Sequence, residues 1–434
     1  MRGERILPLR KFLMSSKKPP ILRCLSHRKF ALFQGGLFPH YTTGWMMRVG
    51  AGWLAWELTG SPAWLGIIAA ADLMPMLFLA PIAGAWTDRV NPLRLIRIAE
   101  GALFLHATLL AVTMYLGLIN IEILFALTVF AGVVHPFHST ARQSIIPLTV
   151  PREDFAAAIA LDSASFHSNR FLGPAIAAFV IPVYGVQGVF FAHMVGSSIC
   201  LTTLFVLRVS SPDRTKARSA TLFSAVIEGM RYAAAHKGLR TMLALLVVAS
   251  MCVRPLQDFL PGFAGDVFNA GAPGLAWLTS SIGVGAMLGA VYIAARGALA
   301  GLTSLAMLGY LGTAASALGF VATKNLWVAV FFSALLGFSL NVMSTSIQAL
   351  MQLAADDRMR GRVMALYLLL FRGFPALGAL ALGFLADVIG LRVSLAMSAA
   401  LSLIFLAMMV PRRKAVAAQL ETGVRSAAAD KPES

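Results

Sequence analysis

The chain consists of long apolar stretches separated by short connections that contain Gly, Pro or charged residues. Each stretch reaches or exceeds the roughly 20 residues that an apolar helix needs to cross a bilayer. Only 13% of the residues are charged and 58% are hydrophobic, whereas soluble domains carry roughly 25% charged residues. A single soluble core cannot bury so much apolar surface, so the sequence predicts an all-α membrane protein.

Twelve transmembrane helices are predicted, in two bundles of six. They are expected at residues 31–58, 62–84, 93–117, 120–142, 156–183, 186–208, 239–264, 273–295, 301–323, 326–352, 363–387 and 390–411. The longest connection divides the chain into a basic N-terminal arm (1–29), a first bundle (30–208), a linker (209–238), a second bundle (239–411) and a tail predicted to be disordered (412–434). Within the linker, apolar residues at helical spacing predict an amphipathic surface helix: Leu222, Val226, Met230 and Ala233.

The basic residues of the connections lie almost entirely on one side of these predicted spans. Nine Lys or Arg lie in residues 1–29, and only Lys324 and Arg392 fall on the other side. Such an asymmetry predicts a multi-pass protein of the plasma (inner) membrane with both termini in the cytoplasm. Because topology explains where these residues lie, the net charge of +17 does not indicate nucleic-acid binding.

The two predicted bundles resemble each other in sequence. Gly60-Ser61-Pro62 before the second span returns loosely as Gly271-Ala272-Pro273 before the eighth. Pro174 of the fifth span likewise corresponds to Pro375 of the eleventh. Two related six-helix halves around a site at mid-membrane are typical of transporters.

A motif after the second predicted span resembles a known family signature. Residues 84–89 (Gly-Ala-Trp-Thr-Asp-Arg), followed by Arg94, resemble the signature of the major facilitator superfamily. Residues 57–62, 228–232 and 357–364 resemble the branch that contains the enterobactin exporter and macrolide efflux proteins. This resemblance implies the major facilitator fold and a cytoplasmic gate made from Gly84, Asp88, Arg89, Arg94, Arg360 and Arg362.

In that gate, the resemblance implies that Asp88 faces the start of the eleventh span, where the helix dipole and two arginines favour a negative charge. The alternative is that these charges only orient the chain. In the fifth span, Gly173-Pro174 followed by Ala177-Ala178 resembles the antiporter motif of the family, which implies export.

Six charged residues within the predicted spans are the candidates for a substrate or coupling cavity, since such charges are costly in a bilayer. Arg48 and Asp72 lie at similar depth in neighbouring spans, and Arg254 and Asp258 are four residues apart in one predicted helix. Each pair can be functional or simply structural.

Arg170 and Arg372 have no partner by spacing. They are predicted either to bind an anionic or hydrogen-bond-rich solute, or to extend toward the membrane surface (snorkelling) or contact backbone carbonyls of a broken helix.

No catalytic, metal or cofactor site is expected. The cysteines Cys24, Cys200 and Cys252 are far apart in sequence, which argues against a disulfide framework. No nucleotide-binding P-loop occurs. The histidines in the spans form no metal-ligand pattern and are interpreted as packed, hydrogen-bonded residues: His40, His106, His135, His138, His167 and His193.

These observations predict a monomeric secondary active transporter that exports a small amphipathic or anionic molecule by alternating access, with a proton or ion as coupling partner. A lipid or lysolipid flippase and a solute importer are the alternatives within transport. A transport-dead membrane scaffold or sensor is the alternative outside it.

Overall fold

The computed structural model of the protein describes residues 20–209, 222–296, 301–356 and 359–421, and these residues are almost entirely helical. Parts of the predicted arm (1–19), linker (210–221) and tail (422–434) lie outside the described residues.

The first half contains α1 (Pro20–Ser26), α2 (Arg28–Thr59), α3 (Pro62–Arg89), α4 (Pro92–Tyr115), α5 (Ile121–Thr149) and α6 (Phe155–Val206). The linker helix is α7 (Leu222–Ala235). The second half contains α8 (Lys237–Cys252), α9 (Gly271–Arg296), α10 (Leu302–Ala322), α11 (Leu326–Ala354), α12 (Arg360–Ile389) and α13 (Leu391–Met409), followed by α14 (Arg413–Leu420). We call the face that carries α1, α7 and α14 the terminal face, and the other the opposite face.

Local capping explains why several helices begin where they do. The Ser61 hydroxyl accepts a hydrogen bond from the Trp64 N–H, and Pro62 fits the first helical position of α3. Asn91 caps α4 in the same way, accepting from the N–H groups of Leu93 and Arg94. These caps satisfy donors that would otherwise be unpaired at the edge of a membrane.

Helix α6 is two spans joined at Gly185. A continuous helix of 52 residues would be about 78 Å long, far more than the roughly 30 Å hydrocarbon layer. Gly185 has φ 66° and ψ −176°, a conformation that residues with a Cβ avoid. The chain therefore turns back there, within the predicted connection between the fifth and sixth spans.

Ten helical stretches of the described residues are long and apolar enough to cross a membrane. One of these, 152–206, contains the turn at Gly185 and so supplies two spans. Helix α2 is not among the ten although it has 32 residues, because its sequence includes His40, Thr42 and Arg48. With α2 included, the structure is consistent with the predicted twelve spans.

The chain beyond the last span is more ordered than predicted. Helix α14 lies on the terminal face. Its Leu420 side chain is 3% exposed and packs against Gly238 at the start of α8. The next residue, Glu421, accepts hydrogen bonds from the N–H groups of Gly301 (3.0 Å) and Thr303 (2.9 Å). The Glu421 carboxylate thus caps the start of α10. Residues 413–421 are held against the terminal face by these contacts, so the disorder expected for the tail does not extend to them.

Close glycine contacts hold the helices of the second half together. A Cβ at Gly285 of α9 would overlap the carbonyl oxygen of Ala334 in α11, and one at Gly289 would lie 2.7 Å from the carbonyl oxygen of Phe338. Small residues allow this approach in membrane helices. Gly285 and Gly289 therefore serve helix packing.

We expect Gly285→Ala to lower stability by about 1–3 kcal/mol, since the added methyl forces two backbones apart. Gly101→Ala is the matched control, because a Cβ there would meet nothing within 4 Å and alanine favours a helix by about 1 kcal/mol. The apparent Tm of the purified variants in detergent measures both effects. Equal apparent Tm values for the two variants would contradict the packing described.

A charged centre between the two halves as the candidate functional site

The span that begins with α8 is broken at mid-membrane. After Cys252 the chain forms a 3-10 helix at Arg254–Phe259, a single α-helical turn at Leu260–Gly262 and a π-helical turn at Phe263–Val267. Pro255 and Pro261 remove N–H donors that a continuous α-helix would use. The continuous helix predicted for 239–264 is therefore wrong, and irregular backbone lies where charged side chains meet.

Arg48 joins the two halves at this break. Its Nη1 lies 2.6 Å from Oδ2 of Asp72 in α3, and its Nη2 lies 3.3 Å from Oδ1 of Asp258. The side chains of Arg48 and Asp72 are 38% and 23% exposed, so water reaches them from the space between the helices. The predicted Arg48–Asp72 contact is present, and Asp258 is an additional partner.

The predicted Arg254–Asp258 pair does not form. Arg254 instead donates from Nη1 to the carbonyl oxygen of Phe371 in α12 and lies over the ring of that residue, with Cζ 4.2 Å from the centroid. The reason is the 3-10 helix, in which side chains three apart share a face and those four apart do not. Asp258 is thereby turned toward Arg48.

Arg170 and Trp45 complete the first-half side of the site. Arg170 donates from Nη2 to Oε1 of Gln257 at 3.1 Å, a second polar link between the halves. The Trp45 ring lies between two guanidinium groups, with Cζ of Arg170 5.6 Å and Cζ of Arg48 5.9 Å from its centroid. We did not predict Trp45 or Gln257. The signal for Trp45 was its position one helical turn before Arg48 on the same face.

Arg372 is exposed, and within the described part of the chain it makes no hydrogen bond or ion pair. With Arg48, Arg170 and Arg254 it gives the centre four cationic groups, against two carboxylates. The excess of two positive charges favours an anionic group in this region.

Gly173 of the antiporter-like motif allows α2 and α6 to approach closely. A Cβ at Gly173 would overlap Cβ of Trp45 and would lie 2.7 Å from the carbonyl oxygen of Thr42. Pro174 and Ala177 are buried beside it, and Ala178 is half-buried. This packing places Trp45 against α6, near Arg170.

The residues of the predicted gate lie at the terminal face. Arg89 and Arg94 are exposed, Gly84 is half-buried, and the side chain of Asp88 lies outside the described residues. Arg360 donates from Nε to the carbonyl oxygen of Gln352 at 3.0 Å. Arg362 pairs with Glu228 of α7, so the linker helix contacts the start of α12. A contact of Asp88 with these arginines stays a prediction.

At the opposite face the two halves are in contact. Trp56 packs on Gly262 and Gly265, and a Cβ at Gly265 would overlap its Nε1 atom. The Asp387 carboxylate in α12 accepts hydrogen bonds from the Ser61 hydroxyl (3.0 Å) and the Ala63 N–H (3.1 Å) at the start of α3. These contacts close the opposite face.

A second polar cluster lies inside the first half, and we did not predict it. The carboxylate of Glu100 in α4 is fully buried between His40 of α2 and His138 of α5, with oxygen-to-nitrogen distances of 2.9 and 3.0 Å. The histidines were interpreted singly, because 60 and 38 residues separate them from Glu100 in the sequence. A Glu at position 100, within a predicted span, was the available signal.

Two helical halves, a broken span and a charged, partly accessible centre define a membrane transporter that works by alternating access. Residues 25–430 match the family described as transmembrane secretion effector. The chain belongs to this major facilitator family and is a transporter of small molecules, not an enzyme.

Known relatives and structures agree with this assignment. The multidrug efflux pump Tap of Mycolicibacterium fortuitum is 27% identical over 79% of this chain and 85% of its own. The staphyloferrin A transporter of Staphylococcus aureus is 22% identical over 83% and 90%, and macrolide efflux protein A of Streptococcus pyogenes is 20% identical over 71% and 77%. The crystal structure of the nucleoside transporter NupG has the same fold, with a TM-score of 0.69, 12% identity and coverage of 88% of this chain and 98% of that one.

We expect Arg48 and Asp258 to be energetically coupled, because removing either leaves the charge of the other less compensated. Arg48→Gln should lower stability by about 1–3 kcal/mol, and Arg48→Gln with Asp258→Asn should cost less than the sum of the single changes. Apparent Tm values for the two single variants and the double variant measure the coupling. Additive losses would show that this link between the halves contributes nothing.

Proposed function

We propose that the protein is a secondary active exporter that moves a small amphipathic or anionic molecule out of the cytoplasm. The observation that carries this proposal is the charged centre, in which four arginines face two carboxylates between the halves. Guanidinium groups bind carboxylates and other planar anions with directed hydrogen bonds, and Trp45 adds an aromatic surface beside them. A drug-like or siderophore-like molecule fits both features.

The direction of transport and the orientation in the membrane are parts of this proposal. The relatives described as efflux pumps support export, as does the close packing of α2 on α6 at Gly173. The Lys and Arg distribution supports a plasma (inner) membrane location with the terminal face in the cytoplasm. On this orientation the closed opposite face is the outer one, and the centre is reached from inside. We also propose that the transporter acts as a monomer and that a proton or other ion drives export.

An apolar groove supports a second candidate function, movement of a lipid or lysolipid. The groove has a volume of about 460 Å³, and its lining includes Ile67, Met74 and Phe78 of α3, Phe125 of α5 and Leu380 of α12. An acyl chain would fit such a lateral surface, with its headgroup toward the arginines. Transport of a fluorescent lipid in proteoliposomes, with no effect on siderophores or drugs, would favour this function over export of a soluble molecule.

We expect cells that express the wild type to retain less of at least one compound from a panel of siderophores, macrolides and dyes. Arg170→Ala with Arg372→Ala should reduce export of anionic compounds at least about tenfold, since each lost charged hydrogen bond is worth roughly 1.5–3 kcal/mol. Accumulation is measured at matched surface expression.

Two further variants separate charge from position. Arg170→Lys with Arg372→Lys keeps the charge and should retain part of the activity, while Arg413→Ala, at the exposed start of α14, should match the wild type. If the double alanine variant exports anions as well as the wild type does, the arginines are structural and the anionic substrate class is wrong. If the wild type changes the retention of no compound, the panel or the direction is wrong.

We expect Asp88→Asn to lower the turnover number and leave substrate binding almost unchanged, because a gate residue stabilises one state without touching the substrate. Transport rates and equilibrium binding of the panel compound found above measure the two effects separately. Glu122→Gln, an exposed carboxylate near the opposite face, is the control. Equal losses of binding and turnover in Asp88→Asn would count against a gate.

A further inference from the structure

The Glu100 cluster is an assembly of buried titratable groups that the charged centre does not use. Glu100 is fully buried and lies eight residues into α4, about 12 Å from the terminal face. Oε1 is 2.9 Å from Nδ1 of His40, and Oε2 is 3.0 Å from Nε2 of His138. The two histidine rings are 5.3 Å apart, centroid to centroid.

Three helices surround the carboxylate with groups that bind or exchange protons. From α2 comes His40, whose Nδ1 also lies 3.1 Å from the Ser197 hydroxyl. From α5 comes His138, and from α6 come Ser197 and the buried Cys200, whose thiol is near the carboxylate. His193 of α6 packs on His40 with ring centroids 5.6 Å apart. Arg142, one helical turn after His138, pairs with Asp162 of α6.

A carboxylate in this position must be neutralised, since an isolated buried charge costs many kcal/mol. One proton shared between Glu100 and either imidazole leaves the group neutral, and a second proton makes it cationic. Each carboxylate oxygen lies within 3.0 Å of an imidazole nitrogen, so the path for a proton between these groups is short. Small ring rotations therefore suffice to move a proton among the three side chains.

His135 connects this cluster to the charged centre. It lies one helical turn before His138 and one turn after Gly132, at which a Cβ would be 3.0 Å from the Asp72 carbonyl oxygen. His135 and His138 are three residues apart and therefore share a face of α5. Chains of Asp, Glu and His inside membrane proteins are typical of proton pathways.

We propose that Glu100, His40 and His138 form the binding site for the coupling proton, and that His135 passes this proton to and from Asp72. This inference rests on the proposed exporter function and names the ion and its site. A proton that arrives on the Asp72 carboxylate removes one of the two charges that Arg48 contacts, so Arg48 keeps its contact with Asp258 and its other N–H groups are released to bind an anionic substrate. When the proton leaves, Arg48 returns to Asp72.

The experiment is infrared difference spectroscopy of the full-length protein in nanodiscs, titrated between about pH 8 and pH 5, the range in which histidines change charge. The imidazole ring bands report proton uptake by the histidines and require no substrate. The wild type should show a band that Glu100→Gln lacks and that the control Glu57→Gln, with an exposed carboxylate, retains. Glu100→Gln removes a buried charge partner and can therefore destabilise the fold. His138→Gln is the second variant, and in it the midpoint pH of the band should shift while the band persists.

A band that is identical in wild type and Glu100→Gln overturns the proposal, and so does its absence from the wild type. Elemental analysis of the purified protein adds an independent check, because His40, Glu100 and Cys200 also present metal-ligand atoms close together. A stoichiometric metal that is lost in Glu100→Gln would replace the proton site with a metal site.

Transport then separates this inference from the proposed function. With a compound found in the panel, Glu100→Gln should lose accumulation driven by a pH gradient and retain exchange of labelled for unlabelled compound. Loss of both would show a structural role for Glu100. If no compound is exported but the infrared band behaves as expected, the proposed substrate class fails and the proton site stands.

Discussion

Arg48 pairs with two carboxylates that belong to different halves of the molecule, and the arrangement of the centre depends on this one side chain. A charge within a bilayer needs a partner, since neither lipid nor apolar side chains can replace water. By contacting Asp72 and Asp258 together, Arg48 makes the junction between the halves the place where charge is balanced. A change in the charge of either carboxylate therefore alters how the halves are held, which is the property that alternating access requires.

The broken span explains how Asp258 reaches this junction. Pro255 starts a 3-10 turn and Pro261 lies in the α-turn that follows, so the backbone between them is longer per residue and more tightly wound than an α-helix. Nearby, Gly262 and Gly265 let Trp56 pack against the backbone of the same segment. The break thus serves two purposes, because it turns Asp258 to the centre and supplies a flat surface that closes the opposite face.

The sequence predicts the spans well because span length and apolar content are set by the bilayer. The turn at Gly185 and the Arg48–Asp72 contact follow from depth and connection length alone. The Arg254–Asp258 pairing failed because it assumed an α-helix through two prolines. The Glu100 cluster was missed for another reason, since its members come from four helices and no spacing rule links residues so distant in sequence.

The positions of the two polar groups bear on how export would be coupled. The Glu100 cluster lies within one half, whose helices α2, α4, α5 and α6 enclose it, whereas the charged centre lies between halves. A proton bound inside a half cannot by itself favour one state, because its surroundings move as a unit. The proton affects transport only if it reaches a group at the junction. In the first half that group is Asp72, whose side chain contacts Arg48 and whose backbone lies against α5, the helix that carries His135. Coupling through Asp72 therefore requires no large change within the half, only a transfer along α5 that changes which carboxylate holds Arg48.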